Sequence, residues 1–400
     1  MVFVYLLYAI ILDYALRLVA RVFDYEGFVY VSNPVRTLFS YSLIIISAYG
    51  INKFNIDKIS GLFFVGIFCL LIEPGLVYFM RGNVDYWQAF LLLGGYIWLL
   101  LFYKILNKIP FKIHSLHNKT IFYGIILAMT IFTYGSTIYY SGFKFNLDLS
   151  KVYEIRDYFM RNKTFLMGYL VIWQGNIINP LLFYCALRKN RYLFAAVIII
   201  FQFYLFSVTG LKIFFFSLIL SYTITRYSKS LKLLIPTLLS FIVVLSCFIH
   251  LYIGNVWFLA LFVERTLFIP VQITYQYFDF FHNNPFIYLS DSVLKYIFEY
   301  PYLLPAPLTI GIRYYDGGSC NTGIFGNAYM NFGIPGVFVF VSLLSFILSI
   351  FDRIAISKEA NASLIVASVA MTLISIINSG LLTVLLTHGM FLALVLAFLI

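Results

Sequence analysis

Two polar stretches stand out against an otherwise apolar chain. The first, SGFKFNLDLSKVYEIRDYFMRNK at 141–163, interleaves Asp148, Lys151, Glu154, Arg156, Asp157, Arg161 and Lys163 with Tyr153, Tyr158 and Phe159. That pattern suits an amphipathic helix lying at a membrane interface, and equally a salt-bridged surface helix. The second, ERTLFIPVQITYQYFDFFHNNPFIYLSDS at 264–292, sets Arg265, Asp279 and His282 among aromatic residues. Aromatic faces flanked by amides and acids suit sugar rings, whose C–H faces stack while their hydroxyls need donors and acceptors. An aromatic membrane belt accounts for any single Tyr or Phe, but not for an Arg, an Asp and a His arriving together.

Cations in these loops point to phosphate. A guanidinium fork grips two oxygens and stays charged when partly desolvated, so Arg265 and Arg313 are candidates, and a lipid headgroup would satisfy them too. Lys212 follows SVTG at a turn between two short apolar runs. A buried or half-buried ammonium there would cost roughly 2.5–3.5 kcal/mol at mid-membrane unless it met an anion or water; snorkelling to the headgroups is the other reading.

Metal signals are poor. Asp24-Tyr25-Glu26 is a D-x-E, His114 and His117 form H-S-L-H without an accompanying acid or cysteine, and His388 sits within an apolar run, where a packed core role fits. The four cysteines form no close pair. We expect neither a metal nor a cofactor. GSCNTGIFGNAYMNFGIPG at 318–336 is rich in glycine and amide, but it follows neither G-x-G-x-x-G nor Walker spacing.

The elements that must position these residues are membrane helices. The chain is 62% hydrophobic and 11% charged over 400 residues, with a mean hydropathy of +0.93, too apolar for a soluble domain. Its apolar runs match the roughly 20 residues that cross a bilayer, and the absence of period-two alternation excludes a β-barrel. We expect an all-α polytopic membrane protein, one transmembrane domain over 1–400, with twelve helices near 2–20, 35–51, 61–80, 87–106, 120–140, 164–187, 193–208, 212–225, 233–253, 332–351, 361–378 and 381–399. Asp13 and Arg17, four residues apart in the first run, and the lack of a cleavage site mark that run as a retained helix.

With both termini inside, the inner loops hold fourteen Lys and Arg against Asp57, Asp352 and Glu359, so the whole formal excess of +11 lies on one side. That is the positive-inside rule; the basic balance reports topology, not nucleic-acid binding. The long loops 141–163 and 254–331 then face outward.

Four segments, VYEIRDYF (152–159), SVTGLK (207–212), ERTLFIPVQITYQYFDFF (264–281) and NTGIFGNAYMNFGIPG (321–336), resemble in order and placement the Wzy-type oligosaccharide repeat unit polymerases, also called O-antigen or capsule polymerases. The resemblance implies a glycosyltransferase of the bacterial plasma (inner) membrane with its active face outward (periplasmic), embedded among membrane lipids. Its substrate would be an undecaprenyl-pyrophosphate-linked oligosaccharide, and its partner a chain-length co-polymerase. It carries Tyr153, Arg156, Lys212, Arg265, Tyr277 and Asp279 over as functional residues. Leu211 departs from the pattern, in which a polar residue or histidine is common beside the lysine, and this weakens proton transfer at that turn.

On this reading Arg265, with Lys212 and Arg156 or Arg313, holds the pyrophosphate, and Asp279, or His282 as second choice, accepts the acceptor proton. Gly323, Gly326, Gly333 and Gly336 allow close helix approach and a bent start to the helix, from which Asn327, Tyr329 and Asn331 would alternate toward sugar hydroxyls; tight helix packing with polar glue is the plainer reading. An O-antigen ligase would use the same donor, and a lipid-linked oligosaccharide flippase would share the helix count.

Overall fold

The computed structural model describes residues 1–53, 59–110, 113, 116, 118–142, 148, 151–357 and 361–400. His114 and His117, and the inner-loop residues Asp57, Lys58, Lys112, Lys358 and Glu359, lie outside the described residues. All regular structure among the described residues is helical. Among the described residues nine helices are long and apolar enough to cross a membrane: Val2–Val22, Pro34–Asn52, Ile59–Met80, Tyr86–Lys108, Lys119–Ser141, Phe165–Arg188, Tyr192–Thr209, Ser228–Ile253 and Ile324–Ser357. Three shorter apolar helices, Ile213–Arg226, Ala362–Asn378 and Met390–Leu399, fall within the remaining expected spans. Large apolar side chains such as Ile46, Phe132, Leu193 and Ile219 stand exposed on the helix flanks, which only a lipid environment would cover. This is the architecture of a polytopic membrane protein.

The chain divides into two compact units. The first comprises residues 1–110, 229–349 and 376–381; the second comprises 111–228, 350–375 and 382–400. In the first unit Ile59–Met80 is the central helix, with 94% of its most apolar window buried, as an all-round hydrophobic sequence requires. Val2–Val22 packs against Pro34–Asn52, Glu73–Met80 and Leu231–Phe248. Asp13 does not pair with Arg17 as the i, i+4 spacing suggested. It takes the Arg81 guanidinium in a two-pronged ion pair, with Arg81 Nε donating to Asp13 Oδ1 at 2.6 Å. A bidentate fork between a buried Arg81 and a half-buried Asp13 outcompetes a neighbour on an exposed helix face.

Three helices widen by one residue to π turns immediately ahead of a proline: Phe68–Ile72 before Pro74, Gln174–Ile178 before Pro180, and Leu259–Phe268 before Pro270. Proline has no N–H to give the carbonyl four residues back, and its ring crowds that carbonyl. The i→i+5 pattern absorbs both effects without breaking the helix.

Two expected spans differ in form. The run 381–399 is broken between Leu381–Leu386 and Met390–Leu399 by Gly389, at φ +82. A Cβ on Gly389 would lie 2.9 Å from the Trp173 ring, and Trp173 Nε1 donates to the freed Leu386 carbonyl at 2.7 Å, the internal compensation that a helix break within a membrane needs. Ile324–Ser357 starts ahead of the expected 332 and bends at Phe332 and Gly333, where Gly333 takes φ +62. The bend foreseen from the glycines is present, but the residues before it are helical. Asn327 and Asn331 therefore share one face four residues apart instead of alternating.

Candidate functional site

A polar cleft of about 390 Å³ opens in the first unit. It is built from four pieces of chain: the turn at Glu26-Gly27, the connection Gly82-Asn83-Val84-Asp85 with Tyr78 before it and Gln88 after it, the helix Ile269–His282, and Tyr314 at the end of Ala306–Tyr314. From Ile269–His282 come Gln272, Tyr275, Gln276 and Asp279, spaced i, i+3, i+4, i+7 and so on one face. The sequence carried this signal as Q-x-x-Y-Q-x-x-D. The reading above took Asp279 from it and missed the other three.

The walls are fixed by hydrogen bonds. Asn83 clamps the first connection: its Nδ2 donates to Val29 O at 2.8 Å and Tyr78 O at 3.1 Å, while its Oδ1 accepts from Val29 N at 2.8 Å. Asp85 caps Tyr86–Lys108 in a reciprocal box with Gln88, and D-x-x-Q was the legible mark of it. On the floor Tyr78 and Tyr275 stack with centroids 6.1 Å apart, and Tyr275 donates its hydroxyl to Gly75 O at 3.2 Å. At the rim Tyr314 donates to Asp279 Oδ2 at 2.5 Å. Burial and that carboxylate push the Tyr314 hydroxyl well above the ordinary tyrosine range, against the pull of Arg313, so Tyr314 remains a donor to Asp279.

Behind Glu26 lies a second carboxyl. Glu264 is 2% exposed; burial first, then the charge and hydrogen bond of Glu26, raise its pKa to about 8, and Arg265 opposes the shift. Two carboxyls in contact retain a proton between them. Arg265 itself is exposed, with Nε 3.7 Å from Glu264 Oε2. It stands on a π helix instead of in a loop.

No known protein family, curated protein or solved structure matches this chain. The site therefore rests on its own geometry. Asp279 lines the cleft, Arg313 adjoins the lining residue Tyr314 in sequence, and Arg265 adjoins Glu264, the carboxyl behind Glu26; neither arginine lines the cleft. His282 lies one turn past Asp279, its ring 4.7 Å from that of Trp87 and its Nδ1 3.4 Å from Tyr329 Oη. Tyr277, Tyr329 and Asn331 are buried in the frame. Tyr277 donates to Cys320 O at 2.9 Å, and Tyr329 packs on Phe278 at 5.0 Å. Asn331 Oδ1 accepts from Leu289 N at 2.7 Å while its Nδ2 donates to Asn327 O at 2.8 Å, which fixes the left-handed pair Tyr288 and Leu289. Asn327, half-buried, sits against Gly380.

In the second unit the structure brings Tyr153, Arg156 and Lys212 together. The helix Val152–Asn162 carries the first two, and the turn before Ile213–Arg226 carries the lysine. Gly210, at φ +63, seats that turn on the helix: a Cβ there would lie 2.6 Å from Val152 O and 3.1 Å from Arg156 N. Lys212 Nζ stands 5.2 Å from the Tyr153 ring centre. Of the two readings of Lys212, burial is not what the structure has: Lys212 is exposed, as are Tyr153 and Arg156. The amphipathic helix foreseen in 141–163 is present, with Val152 and Phe159 as its buried side. Among the described residues no three His, Cys, Asp or Glu side chains gather as a metal site. Asp24 Oδ1 accepts from Tyr25 N at 2.9 Å, and Glu26 faces Glu264, so the D-x-E does not converge.

Proposed function

We propose that this protein is a membrane glycosyltransferase that polymerises oligosaccharide repeat units carried on a polyprenyl pyrophosphate. It would span the bacterial plasma membrane twelve times, with both termini inside and the long loops on the outer face. The observation that carries the reading is the cleft: three carboxylates, a set of carboxamides and stacked tyrosines at the ends of apolar helices, the composition that sugar hydroxyls and ring faces favour. The loop cations and the resemblance in four segments support it.

In the proposed reaction the acceptor hydroxyl oxygen attacks the anomeric carbon of the donor chain and forms the glycosidic bond. The bond from that carbon to the phosphate oxygen breaks, and polyprenyl pyrophosphate leaves with the electron pair. The hydroxyl proton passes to Asp279, whose Oδ2 is held by Tyr314, so that Oδ1 faces the acceptor. The leaving group is already a stable anion and needs cations more than it needs an acid. Arg265 and Arg313 supply them beside the cleft, and Arg156 and Lys212 form a second cationic locus. A chain-length co-polymerase is the partner that the resemblance implies.

The test is the surface glycan of a deletion strain. A single repeat in place of a ladder, with the ladder restored by the wild-type gene, supports polymerisation. Complete loss of surface glycan would replace the polymerase with a ligase or a flippase.

A further inference from the structure

The cleft is rich in acceptors. Each glutamine nitrogen that lines it gives one N–H to the protein, Gln88 Nε2 to Tyr275 O at 3.4 Å, Gln272 Nε2 to Glu26 O at 2.8 Å and Gln276 Nε2 to Tyr315 Oη at 3.3 Å, while Asn83 Nδ2 gives both of its own. The hydroxyls of Tyr275 and Tyr314 are committed as well. Among the acceptors Gln276 Oε1 is a buried oxygen that receives no hydrogen bond from any described residue, and Glu26, Asp85 and Asp279 add three carboxylates. No Lys or Arg lines the cleft. A buried acceptor left unmatched is costly, so the fitting ligand brings a hydrogen to it.

We propose that this cleft is the acceptor-sugar subsite and that it selects a neutral or amino sugar against an acidic one. Hydroxyls, an N-acetyl N–H or an ammonium supply a donor to Gln276 Oε1 and add no negative charge beside the carboxylates. A uronate, phosphate or sulfate brings a negative charge of its own and meets Glu26, Asp85 and Asp279. The pyrophosphate therefore belongs outside the cleft, on the arginines, and the terminal non-reducing sugar belongs inside it. This inference rests on the glycosyltransferase reading above.

The experiment uses the full-length protein in nanodiscs at pH 6, with oligosaccharide binding followed by saturation-transfer NMR. The probes are trimers of neutral hexoses and N-acetylhexosamines, of glucosamine, and of galacturonic acid. The neutral or glucosamine trimers should bind and compete with each other, with trigalacturonate weaker by at least about tenfold. Asp279→Asn and Glu26→Gln each remove a charge and add donors, and should narrow that gap. Trigalacturonate binding within about twofold of the best neutral trimer, or a gap unchanged in both variants, overturns the selectivity. Binding by none of the trimers overturns the sugar cleft itself, and with it the proposed function.

Discussion

Arg265 and Glu264 are adjacent in sequence but have opposite surroundings, and each supports a test of its own. Arg265 is exposed and charged beside the cleft, so Arg265→Ala should abolish polymer while the protein still accumulates in the membrane. Arg265→Lys should restore little, because a point charge cannot grip two oxygens in a fork; ladders of wild-type length from the alanine variant would remove Arg265 from the reaction. Glu264 is buried against Glu26, which lifts its pKa to about 8. A carboxyl whose pKa is raised on folding stabilises the protein below its ordinary value near 4.5, and that stability is lost as pH climbs toward 8. The melting temperature should thus fall between pH 5 and pH 8.5, and Glu264→Gln, which keeps a neutral side chain of similar shape, should flatten the fall. An unchanged slope in that variant would mean that the pair holds no proton. Sequence reasoning reached Arg265 and Asp279 because their chemistry is rare in an apolar chain. It missed the carboxyl pair because Glu26 and Glu264 are brought together only by folding.

Most of the helices were legible to within a few residues, because hydrophobic length governs where an apolar run can cross lipid; the early start of Ile324–Ser357 and the break within 381–399 were not. Nor were their irregularities. Pro74, Pro180 and Pro270 look in sequence like breaks or kinks, yet each is absorbed by a π turn ahead of it. The break at Gly389 depends on the Trp173 indole, remote in sequence. In the second unit, the π turn Gln174–Ile178 is closed by a buried amide network: Asn179 Nδ2 donates to Gln202 Oε1 at 2.6 Å and Gln202 Nε2 to Gly175 O at 3.1 Å. The turn at Gly210 gives the sharpest prediction at this scale. Any other L residue at φ +63 incurs about 1–2 kcal/mol, and a Cβ would press on Val152 O besides. Gly210→Ala should lower the melting temperature and expose Val152–Asn162 to protease, whereas Leu211→Ala beside it should leave the helix protected. Equal protection of that helix in Gly210→Ala and wild type would show that the turn does not seat it.

For the molecule as a whole, the +11 excess of inner-loop charge fixes the proposed topology. Reporter fusions at Lys151 and Asn284 should read outside and at Lys112 and Lys229 inside; either pair reversed would take the cleft away from the outer face. Chain growth by the purified protein should continue in excess EDTA. The proposed charge compensation comes from fixed arginines, and the Asp24 and Glu26 carboxyls are already engaged by Tyr25 N and Glu264. Growth that stops with chelator and returns with magnesium or manganese would defeat that mechanism. The three proline-led π turns have a further consequence, for how such chains diverge. Each turn holds one residue more than an α turn would, equivalent to about 100° of rotation along the helix. A descendant that lost Pro180 together with one residue of Gln174–Ile178 would keep every later side chain in phase, while losing the proline alone would not. Homologues should therefore differ by paired events at these points, a proline and a single-residue gap appearing or vanishing together, and a lineage with one but not the other should carry compensating changes along the rest of that helix.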